Sequence, residues 1–361
     1  MPVKFKKVLI SSEAFESASV FDVDNDGALD IVSGGFWYKG PDFHLKMRIN
    51  DILRSGEYYD DFSTIPVDIN GDGYTDFVTG GWWGESLKWI ENPGNERMDW
   101  PVHVIAQTGS IETTRAWDVD GDGDLEIVPN TPNNPLYAYK LVRDADGKGT
   151  GEFTKHLIYD RPQGHGLGFG DIDGDGKGEF ILIDGYLKAS DDPLSSEWTY
   201  HPDFRLRNDS SVPILVVDVN GDGVNELIVG GAHGYGLDWY EQKTRPDNVR
   251  TWIKHSIDPF NAQYHDLQWA DIDGDGQNEL ITGKRHRAHN GHEPGEKDDL
   301  GIYYFKWNGE SFSKQVISYG PHGDGAGAGI YFWLADLRRT GRLDLVAPGK
   351  DGLHVFYNEG T

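Results

Sequence analysis

Histidine and carboxylate side chains carry most of the chemistry this sequence offers. Seven of its 13 histidines sit in glycine-rich or polar connections. They are His165 in "QGHGLGFGD", His233 in "GGAHGYG", His265 in "QYHDLQWAD", His322 in "GPHGDGAGAG", and His286, His289 and His292 in "GKRHRAHNGHEPGEKDD". Converging imidazoles bind a transition metal, act as general acid and base, or hydrogen-bond polar ligands. Glycines flanking His165 and His233 let a ligand approach the backbone closely. The expectation is a pocket in which His165, His233 and His265 hold a divalent transition metal. His165, His265, Tyr264 and His289 are the candidates for proton transfer. No HExxH pair or other tight ligand spacing is present, so the identity of the ion stays open. His103, His156 and His255 stand at equivalent places in "WPVHVI", "FTKHLI" and "WIKHSI" and read as packing residues, as does His354.

Other polar and aromatic groups fall in connections of the same kind. Asp60 follows "EYY", Glu112 and Arg115 share "SIETTRAWD", and Trp83 stands in "GGWWGES". With His286 they are the candidate substrate contacts, because rings beside polar groups suit the apolar face and hydroxyls of a sugar. Glu112 and Asp60 are equally candidates to ligate an ion or orient a histidine.

A second set of acids repeats along the chain. In "DVDNDGALD" they are Asp22, Asp24, Asp26 and Asp30; in "DINGDGYTD", Asp68, Asn70, Asp72 and Asp76. In "DVDGDGDLE" they are Asp118, Asp120, Asp122 and Glu126; in "DIDGDGKGE", Asp171, Asp173, Asp175 and Glu179. "DVNGDGVNE" supplies Asp218, Asn220, Asp222 and Glu226, and "DIDGDGQNE" supplies Asp271, Asp273, Asp275 and Glu279. Oxygen ligands at positions 1, 3, 5 and 9, with glycine at 6, suit Ca²⁺. They are not an EF-hand, which needs a bidentate Glu at position 12 and flanking helices. Up to six structural calcium ions are therefore expected, against the alternative that these acids cap turns without metal. A seventh stretch, "DLRRTGRLD" from Asp336, replaces acids with Arg338 and Thr340 and is expected to hold none.

The loops start 46 to 65 residues apart, a period that marks a repeat architecture. Each acidic loop is followed by an apolar strand such as "LDIVSGG" or "NELIVGG", then by an aromatic one such as "SLKWIENPG" or "GIYYFKW". Alternating runs such as "WPVHVIA" supply another strand. Four short strands in each of seven repeats predict an all-β fold, a seven-bladed β-propeller that makes residues 1–361 one domain. The chain ends on an aromatic strand and begins with "VKFKKVLI", so the N-terminal strand is expected to close the ring and leave no open edge.

These "DxDxDG" units with "LIVGG"-type strands resemble the FG-GAP/VCBS-type calcium-loop propellers over essentially the whole chain. "LKWIENPG" at 87–94, "FTKHLI" at 153–158 and "YHDLQWADIDGDGQNEL" at 264–280 resemble the propeller domain of aldos-2-ulose (anhydrofructose) dehydratase. That likeness implies a metal-dependent lyase eliminating water from a keto-sugar. The cupin domains of that family have no counterpart here. A non-catalytic propeller that binds carbohydrate or protein is the competing expectation. Lectin propellers repeat their pockets, whereas Arg115, His165, Ser211 and His265 differ from blade to blade, which favours one central site.

Composition narrows the classes. The net charge of −27 and the lack of a basic stripe argue against nucleic acid. No apolar run approaches membrane-spanning length. There is no cysteine and no "GxSxG" elbow, so neither thiolate chemistry nor that type of serine nucleophile is expected. The apolar run "VLI" near the start is too short for a signal peptide, which suggests a cytoplasmic chain or one whose signal has been removed. Loops that need calcium fill most easily outside the cytosol, which favours an extracellular or periplasmic setting.

Overall fold

The computed structural model describes residues 2–94, 99–195, 198–247 and 249–361. Seven four-stranded antiparallel sheets form the blades of a β-propeller. Blade one runs from Ser19–Phe21 outward to Leu45–Arg48, and blade six from Tyr264–Ala270 to Phe312–Gly320. Blade seven takes its outermost strand from the start of the chain: Lys4–Ser11 pairs with Leu353–Gly360. The ring therefore closes as expected.

First strands of neighbouring blades pack around the axis, Ser19–Phe21 against Ile65–Val67 and Trp333–Ala335. Second strands are sealed on both faces. Asp76–Gly80, Glu126–Asn130, Glu226–Gly230 and Glu279–Lys284 are buried at every residue. That explains their unbroken apolar runs, since a strand covered on both sides has no polar face to show. The cores lie between blades: Val128 and Leu136 of blade three meet Leu167 and Phe180 of blade four. On the axis, Arg115 bonds Asp266 Oδ1 at 2.7 Å and stacks over Tyr331, tying blade three to blades six and seven.

The acidic loops turn from the first to the second strand, and each is wired to its own backbone. The first acid gathers loop amides: Asp271 accepts from Gly274, Asp275 and Gly276, and Asp218 from Gly221, Asp222 and Gly223. The last acid reaches back to the second loop residue, as Asp30 does to Val23 N and Glu279 to Ile272 N. In the seventh loop Asp336 makes the same turn with Thr340 and Gly341. Arg338 ion-pairs with Asp344 at 3.0 Å.

One hairpin, Arg54–Ser55 with Tyr58–Tyr59, projects between blades one and two. A longer excursion between Glu279–Lys284 and Leu300–Trp307 contains the short 3₁₀ turn Ala288–Gly291. Both lie on the face opposite the acidic loops.

Candidate functional site

On that face four blades contribute to one cluster. Glu112 precedes the first strand of blade three, His165 that of blade four, and His233 follows the second strand of blade five. His265 is the second residue of Tyr264–Ala270 in blade six. Ligand atoms of the four lie within 4.8 Å of one another. Glu112 Oε1 is 2.9 Å from His265 Nε2, 3.3 Å from His165 Nε2 and 3.9 Å from His233 Nε2.

The outer partners orient the rings. His165 Nδ1 donates to Ser210 O at 2.7 Å, and His233 Nδ1 donates to Glu293 Oε1 at 2.7 Å. With both Nδ1 atoms engaged as donors, each ring in its neutral form turns an Nε2 lone pair inward, and these two nitrogens stand only 2.8 Å apart. Two lone pairs at that distance repel, so the contact calls for a shared proton or a cation. A carboxylate or carbonyl on the far nitrogen is the arrangement that commonly backs metal-ligating imidazoles.

Charge within the cluster is coupled. Burial would raise the Glu112 pKa, but His165 and His265 outweigh it and hold the carboxyl well below its usual range. Burial also opposes charge on His165, yet Glu112 prevails and raises that pKa. Burial pushes His265 down to about 3, so this fully enclosed ring is neutral, and its Nδ1 has no partner among the described residues.

A cavity of about 300 Å³ opens beside the cluster, lined by Tyr58, Phe62, Trp82, Trp83, Glu112, Arg285 and His289. His289 is half-exposed, and its Nδ1 lies 3.1 Å from Glu293 Oε1. Burial lowers its pKa, keeping the ring neutral. Arg285 is held by Glu16 through Nε at 2.7 Å and Nη2 at 3.1 Å, which fixes a buried guanidinium at the cavity wall. Trp82 and Trp83 are 37% and 36% exposed and form the aromatic side.

His165, His233, His265, Glu112, His289 and Trp83 are thus brought together. Four other candidates are placed elsewhere. Tyr264 is fully buried on the opposite side of its strand from His265, packed in the blade core with its hydroxyl donating to Asp258 at 2.7 Å. It cannot take a proton in the cavity. Arg115 is spent on Asp266. Asp60 is buried and accepts from the backbone N–H groups of Trp83 and Gly84 at 2.8 and 3.0 Å, so it shapes the tryptophan loop instead of touching a substrate. His286 stacks on His322 beside a separate cavity with Arg287, Glu296 and Asp298.

Sequence reasoning did not single out Glu293, Arg285, Glu16 or Phe62. Glu293 and Arg285 belong to the long "GKRHRAHNGHEPGEKDD" stretch, a kind of extended loop that commonly carries function. Glu16 lies before blade one with no motif around it.

Comparison with known proteins agrees with this architecture. The model of the FG-GAP-like repeat matches residues 68–128 and 218–282. The chain is a seven-bladed β-propeller that carries FG-GAP-like repeats at those residues. No curated protein matches it. Among solved structures, an Agrocybe aegerita lectin, described for its specific recognition of non-reducing terminal N-acetylglucosamine, aligns at TM-score 0.51 and 14% identity. That alignment covers 99% of this chain and 94% of the lectin. A chain from the crystal structure of BBS1N in complex with ARL6DN, soaked with lead, aligns at TM-score 0.56 and 13% identity, covering 98% of this chain and 95% of that one. The mercury-soaked form gives TM-score 0.56 at 12% identity, covering 99% and 96%. At such identities the likeness is one of fold, and the propeller's activity must be argued from its own site.

Proposed function

We propose that the propeller is a metal-dependent carbon–oxygen lyase that removes water from a keto-sugar or a related carbohydrate at the Glu112–His165–His233–His265 cluster. One observation carries this reading: two inward-facing Nε2 atoms 2.8 Å apart beside a buried carboxylate form a ready cradle for a cation. The donor set of imidazoles and one carboxylate suits a divalent transition metal. His165, His233 and Glu112 would hold the ion, with His265 as fourth member. Such an ion supplies Lewis acidity toward a carbonyl or enolate oxygen.

The remaining chemistry belongs to side chains around the cavity. His289 is neutral, lines the space and is oriented by Glu293, so it takes the proton alpha to the carbonyl. The electron pair left on carbon forms the new double bond as the beta C–O bond breaks. The imidazolium of His289 returns its proton to the departing oxygen, and water leaves. Arg285 places fixed positive charge near the developing oxyanion, and Trp82 and Trp83 exclude water and stack on the sugar ring.

The half-exposed tryptophans also favour a second reading, a carbohydrate-binding propeller in which the same cavity takes a sugar without turning it over. An elimination assay separates the two. Keto-sugars incubated with metal-loaded protein should give the ultraviolet absorbance of an unsaturated ketone, and His289→Ala should lose it while still binding sugar. Sugar binding with no turnover in the wild type would favour the second reading.

A further inference from the structure

The resemblance to calcium-loop propellers implies an ion in each intact acidic loop, but in four of the six a lysine ammonium stands between the position-3 and position-5 carboxylates. In blade three, Lys140 Nζ lies 2.6 Å from Asp120 Oδ2, 2.6 Å from Asp122 Oδ2 and 3.1 Å from Glu126 Oε1. Lys306 repeats this in blade six, bonding Asp273, with Asp275 at 2.6 Å and Glu279 at 3.1 Å. In blade one Lys39 joins Asp24 and Asp26, and in blade four Lys188 joins Asp173 and Asp175. Calcium sits 2.3–2.6 Å from its oxygens. An ion shared by the position-3 and position-5 carboxylates would have to stand where each ammonium stands.

The pattern follows the loop type. All four lysines occupy one site in the third strand, beside the last loop acid, in "FWYK", "YAYK", "GYLK" and "YYFK". These are the blades whose position 3 is Asp. The two loops with Asn70 and Asn220 at position 3 carry Glu91 and Glu241 at that strand site instead, and those acids pair with His103 and His255 of the outermost strand. Blade seven has Tyr357 there and uses Arg338 from the loop itself.

We infer that Lys39, Lys140, Lys188 and Lys306 are built-in cations that replace calcium in blades one, three, four and six. A lysine ammonium is a compact point charge with three donors, enough to bridge two or three carboxylates. The residues of these loops thus do not fit the ion that the fold family implies.

Calcium binding to the intact chain, measured by equilibrium dialysis at about 1 mM free calcium, where weak extracellular loop sites fill, tests this directly. Wild type should bind no more than two equivalents, the number of intact loops without the lysine; three or more would overturn the inference. Lys306→Met should melt lower than wild type in chelator and regain the loss when calcium is added, because the emptied carboxylates then accept the ion. A variant that melts like wild type in chelator would show that the lysine closes nothing, and would also overturn the inference. Lys140→Gln serves the same purpose should Lys306→Met fail to fold, since Lys140 makes the same contacts.

Discussion

On the face of the acidic loops each carboxylate serves its own blade, whereas on the opposite face Glu112, His165, His233 and His265 come from four successive blades. The first face repeats one solution: an acid gathers loop amides, and in most blades a lysine or arginine supplies the counter-charge. The second face repeats nothing. Its rings are held from behind by Ser210 and Glu293, yet two imidazole nitrogens meet at 2.8 Å and the His265 Nδ1 has no partner among the described residues. Buried carboxylate oxygens without a partner occur on the loop face too, at Asp24, Asp173 and Asp273, so what sets the second face apart is the meeting of imidazoles and a carboxylate from separate blades beside a cavity. The same residue types therefore hold the ring together on one side and form the candidate site on the other.

The comparison breaks most visibly if substitutions on the two faces behave alike. Glu112→Gln should reduce metal-dependent elimination by about 100-fold or more, as losing a group that acts directly at such a centre does. Asp275→Asn on the loop face should leave the rate per folded molecule unchanged. Steady-state kinetics on both variants checks this, and equal losses would erase the distinction.

Next in size is the tie on the axis beneath the cluster. Asp266→Ala strands the buried Arg115 guanidinium and should cost about 3–5 kcal/mol in denaturant unfolding. A loss near that of a surface pair would mean the axis does not anchor the blades that bear the site.

Glu293→Gln sharpens the picture while leaving Glu112, His165, His233 and His265 in place. It weakens the acceptor behind His233 Nδ1 and His289 Nδ1, so metal affinity should fall by about 10–100-fold while the melting temperature holds. Competition against a chelating dye reads this out. An unchanged affinity would assign Glu293 to loop packing.

The smallest effect concerns a histidine outside the site. His354 is buried, and burial followed by Lys7 pushes its pKa down to about 4. The folded state therefore resists a proton that the unfolded chain accepts below about pH 6.5. The neutral ring contributes stability above that value, and this is lost as pH falls toward 4. Between pH 7 and 5 the contribution is about 1–2 kcal/mol, so His354→Leu should narrow the difference in unfolding free energy between those two conditions. An unchanged difference would place the titration elsewhere.

The fold was legible because it repeats. Seven copies of strand, acidic loop, apolar strand and aromatic strand define the blades, and "VKFKKVLI" supplies the strand missing from the last one. The site was legible only in part because it does not repeat. His165, His233 and His265 stood out in connections leading to one face, and Glu112 beside Arg115 was ambiguous until the propeller's curvature set it between two imidazoles. Tyr264 misled through its proximity in sequence: neighbours on a strand point to opposite faces, so it and His265 cannot both reach the cavity. Asp60 misled because a buried carboxylate near a pocket serves backbone amides as readily as a substrate. The lysines went unread for a different reason. Charge compensation is arranged across the sheet, between a loop and a strand that follows it, and only the strand pairing shows that "YAYK" and "YYFK" end beside the acids they neutralise.

The central claim is that the cluster of Glu112, His165, His233 and His265 holds a cation. Elemental analysis of the intact protein, dialysed against buffer stripped of transition metals and containing excess calcium, tests it most directly, with a His165→Ala/His233→Ala variant measured alongside. The account predicts about one equivalent of a divalent transition metal in the wild type, lost in the variant while the circular dichroism of the propeller is retained. Wild-type protein that retains none, and takes up none when it is offered zinc or manganese, would contradict it.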